Sequence, residues 1–307
     1  MNKKRVVLAG GSGFLGRELA KRLLLENYEV VVLTRSPHQR GDGVTETAWN
    51  GKSLGDWVQY VEGAHAIVNL AGRSVNCRHT PENIREINES RINSVNAMAT
   101  AIHNVTDPPR VWVQAGSLAF YGDLDDQWCE EGSPSGQGAL VETCRLWENA
   151  LKAVPLANTR RVWLRIGLVL ARDGGALSVL EKLTRWFLGG AAGTGRQYVS
   201  WIHLADMNQM LMESIERDQV IGVFNATGPN PVTNAEFMSE LRRALHRPPC
   251  PPAPVWAVRL GSRWMQTEPS LALAGRRCAP ARFLKLGFKF QFPELRGALR
   301  NIYRQDW

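Results

Sequence analysis

Ala9-Gly10-Gly11-Ser12-Gly13-Phe14-Leu15-Gly16 is the stretch that decides the fold. It follows a short apolar run, Arg5 to Ala9, and opens a segment, Phe14 to Glu26, whose apolar residues recur at helical spacing. Gly11, Gly13 and Gly16 fit G-x-G-x-x-G, and Gly10, Gly13 and Gly16 also fit G-x-x-G-x-x-G. Between a strand and a helix, such glycines let the backbone turn tightly and approach a pyrophosphate closely. The helix N-terminus then offers that anion unpaired N–H groups and the positive end of its dipole. Gly10, Ser12, Gly13, Phe14, Leu15 and Gly16 are therefore candidate cofactor contacts.

The next strand-like run, Glu29 to Thr34, selects the cofactor. A carboxylate at its end would hold the adenosine ribose hydroxyls of NAD, but it ends Leu33-Thr34-Arg35-Ser36, with no acid. Arg35 offers a planar cation that suits a 2′-phosphate, so Arg35 and Ser36 point to NADP; the competing reading of Arg35 is a solvent-facing loop arginine. His65 to Leu70 and Arg110 to Ala115 are further apolar runs, separated by a helical stretch from about Pro81 to His103, and Arg161 to Leu170 and Gly222 to Ala226 continue the series. Buried strands alternating with helices predict an α/β fold, a Rossmann-type doubly wound parallel sheet.

The chain has 307 residues, 44% of them apolar and 21% charged, which excludes disorder as its main state. No apolar run approaches the ~18 residues of a membrane helix. The basic start, Met1-Asn2-Lys3-Lys4-Arg5, leads into only four apolar residues before Gly10, so a secretory leader and a membrane partner are not expected. Five cysteines without a CxxC pair read as free thiols of a cytoplasmic protein, with no disulfide frame and no metal site. The net charge of +8 resides in residues 231–307, which hold 13 Lys and Arg against 5 Asp and Glu, whereas residues 1–230 carry 24 of each. Five prolines between Arg247 and Val255 form a stiff connector between helix-like runs, Thr233 to His246 and Pro254 to Gln266. These features predict a domain over 1–230 and a small basic helical module over 231–307. The basic module suits an anionic ligand or a solvated face; nothing resembles a nucleic-acid-binding signature, so nucleic acid is not an expected partner.

The glycine turn with Phe14-Leu15-Gly16, Asn69-Leu70-Ala71-Gly72, Ser117 to Gly122 (SLAFYG), Leu164 to Leu170 (LRIGLVL) and Trp201 to Asp206 (WIHLAD) come in an order that resembles the extended short-chain dehydrogenases/reductases. Ser90 to Ser94 (SRINS), Trp147-Glu148, Gly174 to Leu177, Gln197 to His203 and Gly287 to Phe290 bring the likeness closer to an epimerase-like subfamily with a C-terminal module of unknown role, over nearly the whole chain. The resemblance implies that Asn69, Leu70, Ala71 and Gly72 line the cofactor and that Ser117 is the catalytic serine. It also implies that Arg196 and Gln197 touch a small, anionic or nucleotide-linked substrate. Family members often form homodimers through helices flanking the sheet, although no feature of this chain demands it.

The chemistry breaks the pattern. The superfamily uses Tyr-x-x-x-Lys, in which the lysine lowers the tyrosine pKa and the phenol exchanges a proton with substrate. Tyrosines stand here at 28, 60, 121, 198 and 303, and none has a lysine four residues on. Counting back from Glu148 puts Leu140 and Cys144 in the two places. Three readings stay open. Tyr121, four residues past Ser117, serves as the acid–base group unless it is a core aromatic. Alternatively the chain binds NADP(H) and a ligand without turnover, as a sensor. Or the reaction takes its proton from water. Among smaller features, Ser117 reads equally as a cap, Asp206 as the cap of a helix over 207–216 with His203 structural, Cys144 as a small buried filler, and Arg73 as a second cation near the phosphates.

Overall fold

The computed structural model describes residues 3–303; Met1 and Asn2 of the basic start, and residues 304–307, lie outside the described residues. The strands are β1 (Arg5–Ala9), β2 (Glu29–Thr34), β3 (Val44–Ala48), β4 (Ala66–Asn69), β5 (Val111–Ser117), β6 (Trp128–Cys129), β7 (Arg160–Ile166), β8 (Leu168–Leu170), β9 (Tyr198–Val199), β10 (Trp201–His203), β11 (Gly222–Ala226), β12 (Val232–Thr233) and β13 (Arg277–Cys278). The helices are α1 (Phe14–Leu25), α2 (Pro81–His103), α3 (Ala139–Lys152), α4 (Gly175–Arg185), α5 (Leu204–Glu216), α6 (Asn234–Ala244), α7 (Val255–Trp264), α8 (Ser270–Leu273), α9 (Ala281–Lys285) and α10 (Leu295–Tyr303). Among them no helix is long and apolar enough to cross a membrane.

Seven parallel strands form the central sheet in the order β11-β7-β5-β4-β1-β2-β3. The expected doubly wound sheet is therefore present. Its order reverses between β1 and β4, so the crevice for a ligand opens beyond Ala9 and Asn69. Strand residues alternate between two cores. Val6, Leu8, Val30 and Val32 pack with Leu19 and Leu23 of α1 and Met207 and Leu211 of α5. Val7, Ala9, Val31 and Ile67 pack on the opposite face with Val95 and Met98 of α2 and Trp147 of α3. Burial on both faces is why these strands read as unbroken apolar runs.

Two expectations need correction. The run from Arg161 to Leu170 is not one strand. At Gly167 the backbone N–H bonds Ala226 of β11, and the next N–H, of Leu168, bonds Ser200, carrying β8 off the sheet to pair with β10. A Cβ at Gly167 would lie 2.6 Å from the Ser200 carbonyl oxygen, so the crossing requires glycine. The helix after the WIHLAD corner starts at Leu204, and its cap is His203, whose Nδ1 accepts the Ala205 N–H at 3.1 Å. Asp206 instead accepts the N–H groups of Gln291 and Phe292 at 2.7 and 3.0 Å, fastening the C-terminal segment. That segment contributes Phe283 and Phe288 to the α1–α5 core, and α10 packs on α6 around Leu241 and Leu299.

His203 is buried beneath the Phe292 ring, 4.0 Å between centroids. Burial pulls its pKa down to about 4 from an ordinary value of 6.5. Between those values the unfolded chain binds a proton that the folded one refuses, so stability falls as pH drops through the window. We expect about 2–3 kcal/mol of stability to be lost between pH 7 and 4.5 through this group. Urea unfolding of wild type and His203→Asn, which can keep the cap, checks it. Parallel losses in both proteins would assign the effect to other groups.

Candidate functional site

The crevice at the strand reversal is shaped by glycines acting in different ways. Gly10 adopts φ +75°, and a Cβ there would stand 2.8 Å from the Ala71 backbone nitrogen, so it brings the β1 turn against the β4 turn. At Gly16 a Cβ would meet the Gly11 Cα at 2.5 Å; this glycine seats α1 on the turn. Gly13 differs: a Cβ would approach only the Gly10 carbonyl, at 3.2 Å, and is otherwise in open space. Gly13 is also the N-cap of α1, without a side-chain cap, whereas Thr80 caps α2 and Thr233 makes a capping box on α6. The first-turn N–H groups of α1 are therefore left for an external anion. Ser12 is exposed beside them, its carbonyl accepting from Arg17 at 3.1 Å.

The remaining predicted cofactor residues fall into contact and support positions. Arg35 and Ser36 are exposed at the end of β2, and among the described residues Arg35 has no ion-pair partner. Asn69 is fully buried. Its amide donates to Ser94 and Gln114 at 3.2 and 3.0 Å, and its oxygen accepts the Ala71 N–H at 3.0 Å. It shapes the Leu70-Ala71-Gly72 turn from beneath. The Phe14 ring packs on Gly174, where a Cβ would come within 2.5 Å of it, and Leu15 joins the α1–α5 core. Arg73 turns away from the phosphate position, pairing with Glu86 and donating to Asn83 at 2.9 Å.

At the end of β5, Ser117 caps the turn Leu118–Tyr121, accepting the Ala119 N–H at 3.1 Å. Its own O–H can still donate. Of the two readings left open for Tyr121, the structure has the core aromatic. It is fully buried, and its hydroxyl lies 2.8 Å from the Glu130 carbonyl and 2.8 Å from Asn225 Oδ1 while accepting from Arg165 at 2.8 Å. Burial pushes its pKa up to about 12 despite the Arg165 cation. A phenol so enclosed holds the sheet edge together and has no face for a substrate. Arg165 in turn grips Glu148 with two bonds, 2.7 and 3.0 Å, and stacks 3.5 Å from the Phe120 ring centroid.

Leu140 and Cys144 lie in the first two turns of α3, with Cys144 buried and its Sγ 4.0 Å from the Ser117 carbonyl. Burial pushes this thiol up to about 12, and the cations of Arg91, Arg276 and Arg165 pull it back only in part. Arg196 is exposed, whereas the Gln197 amide spends both protons on the carbonyls of Ala192 and Ala272, at 3.0 Å each. Gln197 therefore ties its loop to the C-terminal segment. Two residues near the crevice escaped the sequence reading, Arg91 and Arg276. The first stood inside a quoted motif without a role, and the second carried no spacing signal.

Sheet order and glycine turn define a Rossmann-type α/β protein with a dinucleotide crevice. The pattern of the NAD dependent epimerase/dehydratase family matches residues 6–227, and the chain belongs to that family. Residues 253–302 match a domain of unknown function, DUF1731. The chain is 35% identical over 303 residues, 97% of its length and 86% of the relative's, to the chloroplastic epimerase family protein SDR39U1 homolog of Arabidopsis thaliana. The crystal structure of the human epimerase family protein SDR39U1 with NADPH superposes with a TM-score of 0.86 at 31% identity, covering 97% of this chain and 99% of that one. A nucleoside-diphosphate sugar epimerase of Corynebacterium glutamicum gives 0.79 at 29%, covering 98% of this chain and 58% of that one.

Proposed function

We propose that the chain binds NADPH and is an epimerase-like oxidoreductase acting on a small, anionic or nucleotide-linked ligand, without a Tyr–Lys pair. The observation that carries this is the turn at Gly13, uncapped and open, together with Arg35 at the end of the adjacent strand β2, without an ion pair among the described residues. The NADPH complex of the human relative supports it. Bound there, the nicotinamide would supply or accept a hydride. The chain's own part is to hold the pyrophosphate on the α1 N–H groups, to grip the 2′-phosphate through Arg35, and to present the Ser117 hydroxyl to a ligand oxygen. With Tyr121 enclosed, the proton comes from water. The five free thiols favour a cytoplasmic setting, and the change of character near residue 230 favours the division into a dinucleotide-binding unit and a C-terminal module.

Tryptophan-to-nicotinamide energy transfer tests the cofactor half. NADPH is expected to bind at least about tenfold more tightly than NADH, since a charge-assisted Arg–phosphate contact is worth about 1.5–3 kcal/mol. Arg35→Ala should erase the difference. Equal affinities in wild type would refute the role of Arg35. A second reading, a sensor that binds NADPH without turnover, is favoured by Leu140 and Cys144 on α3. Oxidation of NADPH with any member of a carbonyl panel would exclude it.

A further inference from the structure

Three positively charged groups act on Cys144, and one of them, Arg165, is neutralised by Glu148. The other two form no ion pair among the described residues. Arg91 comes from α2 and wedges between the β4 turn and α3. Its Nη1 donates to the carbonyls of Arg73 and Ile87 at 2.9 and 3.1 Å, and its guanidinium lies 4.9 Å over the Trp147 ring. It presses on the cofactor turn, where a Cβ at Gly72 would be 3.4 Å from its Cζ.

Arg276 is carried by the C-terminal module. Pairing of β13 with β6, a bond from the Arg276 N–H to the Tyr198 carbonyl at 3.0 Å and one from the Gly275 N–H to Asp123 at 2.9 Å fix its backbone. Its Nε donates at 3.1 Å to the carbonyl of Gly122, which ends the turn that Ser117 caps. Among the described residues neither arginine forms an ion pair, although Arg40, Arg73 and Arg165 all do. The carboxylate near Arg276, Asp123, acts on it from a distance without forming an ion pair, and its Oδ1 accepts the Gly275 N–H.

Desolvating two guanidinium groups that make no direct ion pair is costly, and an anion bound by them recovers part of that cost. We infer that Arg91 and Arg276, beside Ser117 and Cys144, form the recognition site for a carboxylate or phosphate group of the ligand, and that the C-terminal module completes the site by supplying Arg276. The planar donors of two arginines suit such an oxyanion, and the Ser117 hydroxyl adds a neutral donor. The inference rests on the proposed function for the position of the crevice. It goes further in assigning the charge of the ligand and a task to the module.

Calorimetric titration of malonate and of inorganic phosphate into the NADPH-saturated protein tests it, with malonamide as the uncharged control. Saturation with NADPH fills the glycine turn, so that the probes report on the second site. Wild type should bind one equivalent of malonate or phosphate and no malonamide. Arg276→Gln and Arg91→Gln should each weaken the anion at least about tenfold, the size expected for one charge-assisted contact. Arg276→Lys should retain part of the affinity, and Arg276→Gln should bind NADPH like wild type, which shows that it is folded. Anion affinity unchanged in both glutamine variants, equal binding of malonamide, or no binding by wild type at tens of millimolar would overturn the site. If wild type fails to bind NADPH, the cofactor reading falls by itself, and the dependence of anion affinity on Arg276 in the free protein still decides this one.

Discussion

Glu148→Ala is expected to destabilise the folded protein by about 3–5 kcal/mol, the cost of leaving a buried charge without its partner. The Glu148 and Arg165 side chains are only 2% and 5% exposed. Arg165 is committed to this place by further bonds to the Tyr121 hydroxyl and the Glu131 carbonyl and by the Phe120 ring. It cannot turn to water when the carboxylate is removed. Lys152, 3.6 Å from Glu148 and largely exposed, offers no replacement anion. The network ties α3 to β7 and to the turn after β5 and reaches β11 through Asn225. Its loss should therefore lower the urea midpoint of the whole domain. The double variant Glu148→Leu with Arg165→Met removes both charges and should recover most of the loss, because well-packed apolar pairs match buried ion pairs. A loss below about 1 kcal/mol in the single variant, as for an exposed pair, would mean that water reaches Arg165.

The same network shows where sequence reading stops. Glu148 was visible as part of a Trp-Glu motif, and Tyr121 as a tyrosine near a strand end, but spacing gives no direction. The tight turn over Leu118–Tyr121 rotates the phenol behind β5, toward β11 and 104 residues along the chain to Asn225. What was legible was local: the glycine turn, α1, β2, α2 and β11 each have a period or punctuation of their own. β3 was missed because it is a sheet edge paired only with β2, and of its residues Val-Thr-Glu-Thr-Ala only Val44 is buried. A half-solvated edge strand lacks the apolar run that marked its neighbours. The break at Gly167 was hidden for the opposite reason, since the residues on both sides of it are apolar and nothing local says that they join different sheets. Arg91 and Arg276, 185 positions apart in sequence, come to act on the same thiol, that of Cys144, only through the fold.

The turn itself yields the sharpest separation of folding from binding. Gly10 and Gly13 belong to the same motif, yet their surroundings predict opposite results for alanine. At Gly10 the new Cβ would meet the Ala71 backbone at 2.8 and 2.9 Å, in a left-handed conformation at φ +75°. Neither neighbour is the end of a flexible side chain, so β1 and β4 must part. Left-handed strain of about 1 kcal/mol adds to overpacking of about 1–3 kcal/mol, and Gly10→Ala should lose both stability and NADPH binding. At Gly13 the backbone is extended, φ −75° and ψ 176°, and the Cβ meets one carbonyl oxygen at 3.2 Å. Gly13→Ala should therefore unfold within about 1 kcal/mol of wild type, the poorer N-cap being offset in part by the lower entropy of the unfolded chain. Its methyl would nevertheless stand where a pyrophosphate must approach the α1 N–H groups, and NADPH affinity should fall at least about tenfold, or 1.4 kcal/mol. Thermal or urea unfolding alongside NADPH titration of the two variants reads both quantities. If Gly13→Ala binds NADPH like wild type, the open side of Gly13 is not the phosphate side, and the anion held by this turn lies elsewhere on the α1 terminus.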